Sequence, residues 1–312
     1  MSMARESFLD RIHTVQDALA QPLLIDQTLM DIAHNNRAKI LRNGLMVVAF
    51  NALEDFLRQR SAELLKLISR TSLKFGDLPR ELVLAATAEA MRAAHTHAMI
   101  ASKQGDDPIP LLQLAAAEVA STSNGPLSLS RFALGYNGSN VTADEVGSML
   151  KTLNVADAWN EMTRLGSRVG LGAVPLKDAY AQGLRLRNQA AHWAGANVQP
   201  TELLTFCQQA KAIALGFDLL GSRAARLIHD STSTYAQRQR ERHADGITIV
   251  FVNHTGSGYA NHREGAQRPF KVHRDRDAAW LRAMAAARRK YEGVVERDRS
   301  GTAIRWDSTD CP

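Results

Sequence analysis

Two cysteines in 312 residues, Cys207 and Cys311, are too few and too far apart for a disulfide framework or a thiolate metal site. One lies in a helical pattern and the other at the extreme C-terminal end. Aromatic residues are scarce, at 6%. No uncharged apolar run approaches the roughly 18 residues of a membrane span. The opening MSMARESFLDRIH carries charge where a secretory signal needs its apolar centre. These absences point to a cytoplasmic protein that meets no membrane.

What remains is an Ala- and Leu-rich chain, 45% hydrophobic, long enough for one large core or two smaller ones. Its net charge of +6 is uneven. Residues 1–235 hold 23 Lys and Arg against 22 Asp and Glu, while residues 236–312 hold 15 against 10. A basic C-terminal quarter suits an acidic partner, nucleic acid being the commonest, or simply a solvated surface.

The pattern is mainly helical up to about residue 242. A short amphipathic helix covers 5–20, and a long one runs from Asp26 to Arg70. In the long helix Leu29, Ile32, Ile40, Leu41, Val48, Leu53, Phe56, Leu57, Leu64 and Ile68 recur at three- and four-residue steps. Glu54 and Asp55 sit beside that seam and read as a solvated face, with Arg58 four residues on as a partner for Glu54. Further helices are expected at 80–103, 111–120, 143–154 and 155–165. Thr142 and Glu145 make a capping box at the start of the third of these. His95 and His97, two apart, do not share a helical face.

A helix from Pro175 to Trp193 is followed by a strongly apolar one from Pro200 to at least Gly221. An Arg- and Gln-rich continuation to about Arg242 should project outward. After Asp245-Gly246 the period changes. GITIVFVNH reads as a strand, followed by a Gly/Ser turn, a second strand near 270–273, a helix at 275–292 and a last strand at 302–306. The expected organisation is a helical domain over 1–242 and a small basic α+β domain over 243–312. His254, His262 and His273 are spaced too irregularly to suggest a metal site.

The most informative stretch is LRLRNQAAHWAG, residues 184–195. Asn188 and His192, four apart, stack on one helical face. Arg187 and His192 differ by about 140° and about 7.5 Å of rise, so they meet only across a groove or against a second copy of the helix. A permanent cation, an amide and a titratable imidazole within six residues suit phosphate chemistry. A buried, satisfied pair packing a helix interface is the plainer alternative.

Three stretches carry a family likeness. VVAFNALEDFLRQRSAEL resembles the acidic opening helix of the HEPN superfamily, TADEVGSMLKTLNVADAW its short-helix insert, and LRLRNQAAHWAGANVQPTELLTFCQQAKAIALGFD its Arg-Asn-x-x-x-His helix with the helix that follows. Over residues 26–220 the chain is most similar to the RiboL-PSP-type group, named for its association with RNA ligase and translation-inhibitor operons. That group often has Gly directly after the His, where this chain has Trp193 and reaches Gly only at 195.

The resemblance implies a HEPN-like helical bundle and a metal-independent endoribonuclease without cofactor. It also implies a homodimer through the motif helices and a toxin or antiphage role with an antitoxin or defence-system partner. It assigns catalysis to Arg187, His192 and Asn188, the last either orienting the imidazole or touching the phosphate, with Glu54 and Asp55 in support. Arg185, Arg288, Arg289 and Lys290 are the expected RNA contacts. A non-catalytic RNA- or nucleotide-binding module, acting as sensor or dimerisation scaffold, is the other function compatible with these residues.

Overall fold

Ten helices, a π-helical turn and several 3-10 turns surround and flank one sheet in the computed structural model, which describes residues 2–123, 125–134, 140–172, 174–231 and 242–311. Helix α1 spans Met3–Leu19 and is capped by the Ser2 hydroxyl. Helix α2 spans Ile32–Ile68, six residues later than the pattern suggested, because the Asp31 side chain caps it by accepting from His34 N–H. Helix α3 (Arg80–Leu84) passes through a π turn, Ala85–Glu89, into α4 (Ala90–Gln104). Then come α5 (Ile109–Ala120), α6 (Ala143–Thr152), α7 (Ala158–Arg168), α8 (Leu176–His192) and α9 (Pro200–His229). The Thr142–Glu145 capping box starts α6 as the sequence required.

Helix α9 is the axis of the bundle. From Ala210 to Ser222 every residue is buried, and Ala224, Ala225 and Ile228 continue the packing. The polar continuation expected to project outward therefore packs inward as far as residue 229; its remainder, 232–241, lies outside the described residues. Long helix α2 packs along α9, with Phe56 and Phe217 meeting edge to face at 6.4 Å between centroids. Burying each such Phe or Leu contributes about 1.5–3 kcal/mol.

The C-terminal strands are β1 (Ile249–Thr255), β2 (Gly258–Arg263), β3 (Lys271–His273), β4 (Gly293–Arg297) and β5 (Ala303–Ser308), with α10 (Arg276–Arg288) before β4. Their order is β3-β2-β1-β4-β5, with β1 and β4 parallel and all other pairs antiparallel. One sheet face packs Val250, Val252 and Val294 under Trp280 and Ala283 of α10. The other sends Ile249, Phe251, Val295 and Trp306 into the same hydrophobic core as the bundle.

A buried ionic knot fastens the two parts. Asp218 on α9 accepts from Arg5 Nε (2.6 Å), Arg60 Nε (2.7 Å), Ser222 Oγ (3.0 Å) and Trp306 Nε1 (2.8 Å). Arg5 also pairs with Asp307, and Arg60 with Glu63. Four segments distant in sequence thus converge on one carboxylate. No helix among the described residues is long and apolar enough to cross a membrane.

Candidate functional site

Helix α8 is held by a small aromatic stack. Tyr180 lies two turns before Arg187 on the same face, and its ring sits 5.4 Å from Phe50 of α2. Phe50 in turn lies 5.7 Å from Phe206 of α9. Gly183 lets α8 and α9 approach: a Cβ there would stand 2.3 Å from the Phe206 ring. The Tyr180 hydroxyl donates to the Val141 carbonyl at 2.7 Å, while Glu54 Oε1 accepts the Val141 N–H. One residue of the loop before α6 is thereby gripped from both α2 and α8.

Glu54 is buried, not on the solvated face that its spacing suggested. Burial pushes its carboxyl above the ordinary value, against the Val141 N–H and the charges of Arg58 and Arg187, which pull it down. The Arg187 charge is thus near enough to the acid of α2 to act on it. Its Nη1 donates to Asn188 Oδ1 at 3.0 Å, and its Nε is buried without a hydrogen-bond partner among the described residues. No carboxylate among those residues lies within ion-pair distance of this half-buried guanidinium. Asn188 is thus bonded to Arg187 through its side-chain oxygen. His192 closes the helix as its last residue and is exposed.

The exit of α8 is built by two residues that the sequence pattern did not single out. Arg42 is fully buried within α2 and donates to Val198 O, Leu24 O and Asn197 Oδ1, each at 2.9 Å, and pairs with Asp26. Asn43 bonds Ala196 O at 2.8 Å and Val198 N–H at 3.1 Å. A polar Arg-Asn pair inside an otherwise apolar-patterned helix was the available signal, as was Tyr180 seven residues before Arg187.

The other expected residues are not gathered here. Asp55 faces α1, paired with Arg11 at 2.7 Å where both side chains are 46% exposed. Arg185 is exposed on α8. Arg288, Arg289 and Lys290 are exposed at the far end of α10, where the Tyr291 ring packs 4.1 Å from the Arg226 guanidinium. From Phe206, beside Gly183, to Arg226 helix α9 rises roughly 30 Å, so these cations and Arg185 occupy separate regions. His254 Nε2 is bound to the buried Glu296 at 2.6 Å, and Arg276 holds the same carboxylate. Among the described residues no three His, Cys, Asp or Glu side chains converge as a metal site.

A guanidinium with no carboxylate in ion-pair distance among the described residues, carried beside an amide, can receive an oxyanion, and the open imidazole five residues on can exchange protons. The chain matches no protein family, no curated protein and no solved structure.

Proposed function

We propose that the chain is a metal-independent endoribonuclease of the HEPN type, acting at the open end of α8. The observation that carries this reading is Arg187: half-buried and, among the described residues, bonded to Asn188 with no carboxylate in ion-pair distance, it is poised for an anion. In the proposed reaction the ribose 2′-oxygen attacks phosphorus. The bond from phosphorus to the 5′-oxygen breaks, leaving a 2′,3′-cyclic phosphate and a 5′-hydroxyl. His192 takes the 2′-hydroxyl proton or delivers one to the departing 5′-oxygen. Arg187 donates paired N–H groups to the non-bridging oxygens as their charge grows. Asn188 steadies that guanidinium, and Glu54 supports it from α2.

One chain offers a single imidazole here, so the reading includes a homodimer whose second copy supplies the other. Arg185 extends the contact along the RNA. A toxin or antiphage setting, with a restraining partner protein, belongs to the same proposal.

The test is incubation of the purified protein with RNA in EDTA, beside Arg187→Ala and His192→Ala. Cleavage that survives chelation, yields cyclic phosphate ends and falls at least a hundredfold in both variants is expected, in line with loss of acid–base or oxyanion groups. Intact RNA that remains bound overturns cleavage in favour of the non-catalytic module. Growth arrest on expression, relieved by His192→Ala, is the expected cellular counterpart.

A further inference from the structure

Helix α9 turns two charged residues, Lys211 and Asp218, toward α1 and the sheet, within about 20° of one another on its surface. Asp218 is saturated by two guanidinium groups and two further donors. Lys211 is its opposite. It is only 5% exposed, yet its ammonium makes no hydrogen bond or ion pair among the described residues. Burial lowers its pKa, while Cys207 and Asp298 pull it up. Asp298 is engaged elsewhere: its Oδ1 accepts the Ser300 N–H (2.9 Å), the Ser300 hydroxyl (2.6 Å) and the Thr302 N–H (2.9 Å) within the β4–β5 turn. A buried ammonium left in this state costs free energy unless an anion joins it.

Two more cationic groups stand beside it. Arg5 meets Asp218, so His13, about 12 Å further along α1, comes level with Lys211, about 10.5 Å back along α9. The His13 imidazole, exposed on α1, is lowered first by the packing around it, then by the Lys211 charge, with a smaller push from Arg276. Asp17 and Asp10 oppose these effects, from positions roughly 40–60° further round α1 from the buried Ile12. Arg276 opens α10 at the C-terminal edge of the parallel pair β1 and β4, the edge at which β-α-β units hold ligands. Its Nε and Nη2 hold the buried Glu296 at 2.6 and 3.1 Å, and its Nη1 is unbonded among the described residues.

We infer that this junction of α1, α9 and the sheet edge binds the terminal phosphate of a small phosphorylated ligand, with Lys211 as its buried anchor and His13 and Arg276 at the surface around it. A terminal phosphate is compact enough to reach an amine so enclosed. It also presents three free oxygens, one each for the Lys211 ammonium, the imidazole N–H and the Arg276 Nη1. A phosphodiester offers two and brings a chain on either side. The site uses none of the α8 residues and stands whether or not RNA is cut.

Inorganic phosphate is the probe, added to the full chain near neutral pH beside sodium chloride of equal ionic strength. Calorimetry should show saturable binding with Kd on the order of 1 mM, and the melting temperature should rise with phosphate but not with chloride. In the native chain the His13 ring proton signal should titrate at higher pH once phosphate is bound, because the anion offsets the Lys211 charge. Lys211→Met should weaken binding about tenfold or more and melt no lower than the native chain without phosphate, since it removes an uncompensated buried charge. An oligodeoxynucleotide with hydroxyl ends, immune to 2′-hydroxyl attack, should not displace phosphate. Absent or unsaturable binding, binding retained by Lys211→Met, or a His13 titration that phosphate leaves unmoved overturns the inference. So does a Lys211→Met protein that melts well below the native chain, which makes the amine a support of the fold, and so does displacement by the oligodeoxynucleotide, which makes the site one for a nucleic-acid backbone.

Discussion

Replacing Asp218 by Asn removes one negative charge from the most enclosed point of the molecule. Both carboxylate oxygens are fully used: Oδ1 takes Arg60 Nε and Ser222 Oγ, and Oδ2 takes Arg5 Nε and Trp306 Nε1. An asparagine must turn its NH₂ toward one of these donor pairs, so at least two buried donors lose their acceptor. Two buried guanidinium groups also lose their shared counter-ion, although Asp307 and Glu63 still neutralise part of them. Breaking a buried pair this way costs about 3–5 kcal/mol. The residual partners place the loss near the lower end, about 3 kcal/mol, against a total stability on the order of 10 kcal/mol.

The expected melting-temperature drop is on the order of 10 °C. Because the carboxylate joins α1, α2, α9 and β5, the drop should appear as one cooperative transition. Urea midpoints with an unchanged m-value provide the second measurement. Burial would raise this carboxyl, but Arg5 and Arg60 hold it well below the usual range. Its contribution is therefore present above about pH 4, the unfolded value, and disappears only in strong acid. A loss under about 1 kcal/mol refutes the reasoning, and so does a melt that splits, with only the bundle or only the sheet displaced.

Three further outcomes follow from the same contacts. Gly183→Ala pushes a methyl into the Phe206 ring, and should cost about 1–3 kcal/mol and loosen α8, read by thermal melting and RNA cleavage together. Asp310→Asn should stabilise the protein at pH 7.5 by about 2–3 kcal/mol, because burial pushes this carboxyl up to about 6 despite Arg223. The native carboxyl is neutral and harmless below pH 4, and its cost grows as the pH rises through 6; the gain should therefore vanish in acid urea melts. Arg42→Lys cannot reproduce a five-bond fork, so it should release the 196–198 exit and, if the proposed nuclease reading holds, lower cleavage at least tenfold. Asn43→Asp should act in the same direction.

Residues with a strong local signal were read correctly from the sequence. The Thr142–Glu145 box, the α8 limits near Pro175 and Trp193, and the start of α9 at Pro200 each rest on caps or proline chemistry written in adjacent residues. The strands divide along the same line. Ile249–Thr255 alternates and is β-branched, whereas Gly258–Arg263 reads GYANHR, with a polar character that hid β2, although the turn before it was evident. β4 was hidden by its shortness and by a helix expected to reach 292, right up to its start; α10 ends at Arg288.

Tertiary choices were the least legible. Period alone names an apolar stripe on α2 without saying which half meets α9, so Ile40 and Val48 were counted with Leu53 and Phe56. Glu54 and Asp55 are adjacent and chemically alike, yet a 100° turn buries one against Val141 and pairs the other with Arg11 on α1. The candidate site is therefore set less by its motif than by its supports. Arg187, Asn188 and His192 announce themselves in sequence, but Arg42, Asn43, Tyr180 and Gly183 set where α8 ends and what its guanidinium faces. Their roles exist only once α2, α8 and α9 have packed. A chain keeping the motif but losing these four should fold a helix and present no usable site.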